Sequence, residues 1–210
     1  MAQVRFSNAS IPERGNEVNK VLVKKQRERH KEELATSLPR LLDPISSVEY
    51  IVTKALQTSA YKIKLYDVNA LISRIKGGDS VALNYYNYNI AKELGKVLGL
   101  WSKNIRAVYA YNYDDATSGA DCFENTSMFS LIHMIIWAEQ KNKPLNALVE
   151  AIDDAMAQRH KRMLGLSQLE HVLDIQIISD EDVVNRTGYA ALLESIYQLT
   201  IEVWRCNPVV

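Results

Sequence analysis

The sequence predicts an α+β fold, predominantly helical, with about seven to eight helices around a small sheet. Three observations carry that prediction. Long stretches repeat apolar residues at helical spacing between cap and stop residues. Two short runs alternate instead, at 105–113 (IRAVYAYNY) and 173–179 (LDIQIIS). A chain of 210 residues, 47% of them hydrophobic, is also long enough to bury a core without disulfide or metal staples.

Residues 1–15 are polar, carry Pro12 and Gly15, and read as a loosely ordered tail. Residues 16–37 read as a helix with Val18, Val21, Leu22 and Leu34 apolar, and Pro39 stops it. Its middle, 24–31 (KKQRERHK), holds no apolar residue, as expected of a helix laid in solvent or on a partner. The chain therefore divides into a flexible tail (1–15), a basic helical arm (16–38) and one helical-rich globular domain (39–210).

Asp43-Pro44 opens the next helix, which runs to about Ala60 with Ile45, Val48, Ile51, Val52, Ala55 and Leu56 on one face. Asp67 caps a short helix over 68–76, ended by Gly77-Gly78. Asp79 caps a long one over 80–100, weakened near its end by Gly95 and Gly99. After the first strand, 114–121 (DDATSGAD) has turn composition. Residues 124–140 read as an all-round apolar helix in the core, with Met128, Phe129, Ile132, Met134, Ile135, Ile136 and Trp137. In this reading His133 is a packing residue of that helix. Pro144 starts a helix to Leu164, and Gly165 ends it. After the second strand, Ser179 and Asp182 mark a helix start over 180–186. The final segment, 189–205, reads as a helix with Leu192, Leu193, Ile196, Leu199, Val203 and Trp204 inward.

Lys+Arg and Asp+Glu both number 25, which argues against bulk nucleic acid or an anionic membrane as the main partner. That balance hides an asymmetry. Residues 1–40 carry nine Lys/Arg and five Glu, whereas 41–210 carry sixteen Lys/Arg and twenty Asp/Glu. A basic arm on an acidic body can dock on itself, on another subunit or on a third partner. Two cysteines, Cys122 and Cys206, with no Cys-x-x-Cys, fit a reducing compartment. No apolar leader is evident and no apolar run approaches ~20 residues, so the expected setting is cytoplasmic, with no membrane partner.

Chemistry is sparse. No nucleophile elbow, phosphate loop, dinucleotide fingerprint or zinc spacing occurs, and no cofactor is expected. The strand ends carry the one candidate metal site. If the two strands pair in parallel, Asp114, Asp115, Asp121, Asp180 and Asp182 converge and offer hard oxygens to Mg or Ca. If they do not, the same acids are cap and turn residues. Tyrosine is abundant, at eleven residues, and Tyr85, Tyr88, Tyr109, Tyr111 and Tyr113 are candidates for a groove or subunit interface. Lys24, Lys25, Arg27, Arg29 and Lys31 are candidate nucleic-acid contacts, although Glu28, Glu32 and Glu33 interrupt the run.

These features favour a non-catalytic protein-interaction or assembly protein that forms homo-oligomers. Two alternatives stand beside it. One is a divalent-cation-dependent enzyme on a phosphorylated or nucleotide-like substrate, using the Asp clusters. The other is a nucleic-acid accessory protein using the basic arm.

Overall fold

The computed structural model describes residues 44–65, 67–111, 131–195, 197 and 199–206. All of them belong to one compact unit, Leu41–Val210. The expected tail, the arm helix and the 114–121 loop lie outside the described residues.

The first three helices are α1 (Val48–Lys62), α2 (Val68–Lys76) and α3 (Ser80–Trp101). The expected caps form at two of them: the Asp67 side chain accepts from Asn69 N at 3.0 Å, and that of Asp79 from Ala82 N at 2.9 Å. The helix expected from Asp43-Pro44 begins later, at Val48, and Ile45 is 41% exposed in the turn before it. Next come β1 (Ile105–Tyr111) and β2 (Ile132–Ala138), then α4 (Lys143–Leu164), capped by Asn142 onto Leu145 N at 2.8 Å. Gly165 closes α4 with φ 74°, a left-handed conformation that costs glycine little. The chain then gives β3 (Leu173–Ser179), α5 (Asp180–Asn185), a 3-10 helix (Gly188–Glu194) and β4 (Thr200–Arg205).

The fold is α+β, with six helices among the described residues rather than seven to eight. Two expected helices are corrected. The apolar run placed in a helix over 124–140 holds a strand, β2. A short run of buried apolar residues reads alike as helix or strand, and Ile132, Ile135 and Ile136 tip it toward strand. The helix placed over 189–205 is a 3-10 turn followed by β4, whose TIEVWR is rich in β-branched and aromatic residues.

The sheet runs β3-β2-β1-β4. β2 and β3 are parallel, joined through α4, and β1 is antiparallel to both β2 and β4. β2, β3 and β4 therefore run one way and β1 the other. One face packs on the helices: α3 lies on β1, β2 and β4, α4 lies on β3, and α1 and α2 pack on α3. Val108, Ala110, Ile132, Met134, Ile136, Ala138 and Leu173 point into this deep core. The opposite face carries Ala107, Tyr109, Tyr111, Ile135 and Ile178, covered by the short segment from Val183 to Leu193.

Two buried polar groups tie the deep side together. Asp153 on α4 accepts from the N–H groups of Val172 and Leu173, both at 2.8 Å, and so holds the start of β3. His160 accepts or donates on both ring nitrogens: Nδ1 lies 2.7 Å from the Met156 carbonyl and Nε2 lies 2.8 Å from the Tyr86 hydroxyl. A carbonyl only accepts, so Nδ1 carries the proton and Nε2 accepts from Tyr86. β4 is held by close approach. A Cβ on Gly99 of α3 would lie 2.2 Å from the Trp204 ring, so only glycine leaves room for that indole.

Candidate functional site

Strand alternation sends His133, Ile135 and Trp137 of β2, and Asp174, Gln176 and Ile178 of β3, to the thinly covered face. The parallel register sets His133 directly beside Asp174. On the other side of β2, the Tyr111 ring lies 5.2 Å from that of His133. Three donors converge on the Asp174 carboxylate: His133 Nδ1 at 2.7 Å, Gln176 Nε2 at 2.8 Å and the Tyr111 hydroxyl at 3.2 Å.

Partial burial pushes the Asp174 carboxyl up, but the bonds from His133, Gln176 and Tyr111 outweigh it and hold the group below its ordinary range. Burial first, and Asp174 second, keep the Tyr111 phenol protonated well above its ordinary value. An ionised carboxylate can only accept, so the His133 proton sits on Nδ1. Both side chains remain about a quarter exposed, at 27% for His133 and 28% for Asp174.

At the other end of this face lie the carboxyl ends of β2, β3 and β4. A cleft of about 630 Å³ opens there, lined by Arg106, Trp137, Asp180, Val183, Val184, Arg205 and Cys206. The Trp137 indole N–H donates to Asp180 at 2.7 Å. Arg106 pairs with Glu139 and faces Asp180 at 3.8 Å, while Arg205 pairs with Glu202 and donates to the Tyr109 hydroxyl at 2.9 Å. Each guanidinium is thus already matched by a carboxylate, and the cleft carries no unbalanced positive charge.

β2 stands between the two strands recognised in the sequence, and β1 runs antiparallel to β3. The chain leaves β1 at the Asp174 end, whereas Asp180 and Asp182 lie at the Arg106 end, so the parallel pairing required for convergence is not present. Asp114, Asp115 and Asp121 lie outside the described residues. Asp180 serves Trp137 and Arg106. Asp182 forms a capping box with Ser179, accepting from its backbone N at 2.7 Å, and also takes Lys141 Nζ at 2.9 Å. The Ser179 backbone bond, then Lys141, hold its carboxyl well below the usual range. Among the described residues, no three His, Cys, Asp or Glu side chains come together in a way that could hold a metal ion.

The tyrosines divide. Tyr109 and Tyr111 lie on the thin face, with Tyr189 6.1 Å from Tyr111. Tyr85 and Tyr88 sit on α3, across the sheet, where Lys62 Nζ lies 5.6 Å over the Tyr88 ring. These four do not line one groove, and Tyr113 lies outside the described residues. So do Lys24, Lys25, Arg27, Arg29 and Lys31. Sequence reasoning assigned His133 to helix packing, which the β2 strand corrects, and passed over Asp174 and Gln176. The signal that finds them is the i, i+2 alternation of HMIIW beside DIQII, which becomes visible once β2 is read as a strand.

The exposed apolar residues collect elsewhere. Tyr197 is 94% exposed, Leu199 70% and Ile201 37%, at alternate positions leading into β4. Among the described residues β4 pairs with β1 alone. No described helix is long and apolar enough to cross a membrane.

The fold and its surfaces define an α+β protein with a helix-backed, four-stranded mixed sheet. No protein-family model matches the chain, no curated protein is similar to it, and no solved structure matches it.

Proposed function

We propose that this is an assembly protein whose partner is a second copy of the same chain, paired along the edge of β4 that has no neighbour among the described residues. One observation carries the reading: exposed apolar side chains stand at Tyr197 and Leu199, just before β4, and at Ile201 within it, on a strand whose outer edge is unpaired among the described residues. An edge strand presents unpaired N–H and C=O groups, which are ready to pair with another strand. TIEVWR contains no proline to block such pairing. Glu202 and Arg205 neutralise each other on this edge, so two copies approach without net repulsion. Sparse cysteine supports a reducing, cytoplasmic setting for the assembly.

Light scattering coupled to size exclusion tests the reading at tens of micromolar protein. The expected mass is that of a dimer. A Leu199→Lys, Ile201→Lys double variant gives a monomer with an unchanged circular dichroism spectrum. A wild-type monomer, or a variant that stays dimeric, overturns the proposal.

A further inference from the structure

The imidazole of His133 is held by one nitrogen and open at the other. Nδ1 donates to Asp174 at 2.7 Å, and Nε2 has no partner among the described residues. The Tyr111 ring on one side and β3 on the other restrict how the imidazole can turn. Gln176 and Tyr111, through their bonds to the carboxylate, fix the group that fixes the histidine. A carboxylate-oriented imidazole with a free Nε2 is the arrangement that general-base chemistry needs. A capping or packing role for His133 would not need Nε2 open.

We propose that His133 is a proton acceptor for hydrolysis of small activated esters, with Asp174 as its positioning residue. Nε2 takes a proton from a water molecule, and the hydroxide oxygen bonds to the ester carbonyl carbon. The tetrahedral oxyanion collapses, the carbon–oxygen bond to the leaving group breaks, and the alcohol or phenol departs with the proton returned from the imidazolium. During that cycle the Nδ1–H stays on Asp174, whose negative charge offsets the imidazolium. The reaction consumes ester and water and yields acid and alcohol, with no other reactant.

His171 provides the control. Its Nδ1 also meets a carboxylate, Asp153, at 2.7 Å, but its side chain is 66% exposed and that carboxylate belongs to α4 in the helical layer. The experiment follows p-nitrophenyl acetate hydrolysis by the full chain near neutral pH. His133→Gln lowers the second-order rate by roughly a hundredfold, the lower end of what a positioned base contributes. His171→Gln leaves the rate within about twofold of wild type. Asp174→Asn lowers the rate and, in nitrogen-15 spectra, shifts neutral His133 from the Nδ1–H toward the Nε2–H tautomer, which a merely structural loss would not do. Melting curves show that each variant is folded. Equal losses in the two histidine variants, or no loss in His133→Gln, mean ordinary surface imidazole reactivity and overturn the proposal. So does a His133 tautomer that is unmoved by Asp174→Asn. None of these readouts depends on assembly through β4.

Discussion

Ile135 and Ile136 are neighbours on β2, both fully buried, and they face opposite ways. Ile136 points into a core built from four long or medium helices. Ile135 points into a small cluster roofed by α5 and a 3-10 turn. The deep side is mainly apolar, with buried polar groups such as Ser59, Asn89, Asp153 and His160 bonded internally, whereas the thin face mixes apolar residues with His133, Asp174, Arg205 and Asp180. The difference teaches where each property resides. Folding energy is concentrated behind the sheet, and accessible chemistry lies in front of it, where the cover is slight enough to leave side chains partly solvated.

That contrast makes the largest prediction. A truncation costs the lost transfer energy plus a cavity term, and the cavity term depends on how far the surroundings can collapse. The helices around Ile136 constrain one another, so Ile136→Ala should lose about 4 kcal/mol, toward the upper end of the usual range. The roof over Ile135 is short and can settle inward, so Ile135→Ala should lose nearer to ~2 kcal/mol. Urea denaturation measures both. Equal losses would break the comparison and show that the thin roof is as rigid as the helical layer.

Acid separates the faces in a second way. His160, buried behind the sheet, has its pKa lowered from 6.5 to about 4, first by burial, with the Met156 carbonyl bond opposing. The unfolded chain therefore takes up this proton at higher pH than the native state does. Stability from His160 is complete above pH 6.5 and falls as the pH drops from there to about 4, by roughly 3 kcal/mol at 1.36 kcal/mol per pH unit. Asp174 and Asp182 on the front have lowered values, so their contribution persists down to the ordinary carboxylate range and is lost only as the pH falls further. Exposed His171 has the opposite sign, its value raised by Asp153, but solvent screens it. Denaturation midpoints at pH 7, 5 and 3 should thus fall in two stages. A His160→Gln variant should flatten the first stage and leave the second. Loss of both stages in that variant would show that the faces titrate as one unit.

How much of this was legible follows from particular residues. Asp67, Asp79, Asn142 and Gly165 punctuate helices by local hydrogen bonding and backbone conformation, so their elements could be read directly from short sequence windows. β1 and β3 showed through their alternation. β2 did not, because IHMIIWA is apolar on both faces: one face meets the helices and the other meets the roof. Periodicity carries no signal when both sides of a strand are buried. Missing β2 hid the site as well, since His133 meets Asp174 only through the β2–β3 register, across 41 residues of sequence. β4 was hidden for a related reason. Its bulge opposite Val108 and Tyr109 turns both Val203 and Trp204 toward the helices, and two consecutive inward residues imitate a helical face.

Those two inward residues set the smallest and sharpest test, because β4 belongs to both faces: Val203 and Trp204 grip α3 behind it, while Arg205 bonds Tyr109 in front. Gly95 and Gly99 of α3 receive them. In a helix interior, glycine to alanine should gain about 0.5–1 kcal/mol from propensity alone. At Gly99 the new Cβ would lie 2.2 Å from the Trp204 ring, so the indole or the strand must move, and overpacking of this kind costs about 1–3 kcal/mol. The clash wins, and Gly99→Ala should lose a net ~1–2 kcal/mol with an altered Trp204 emission spectrum. At Gly95 the new Cβ would lie 3.0 Å from one Val203 methyl, which needs to give by only a few tenths of an ångström. There the two effects nearly cancel, and Gly95→Ala should stay within about 0.5 kcal/mol of wild type. If Gly99→Ala is equally silent, β4 is held chiefly by its pairing with β1 and by Arg205 in front. The helical layer would then anchor three strands rather than four.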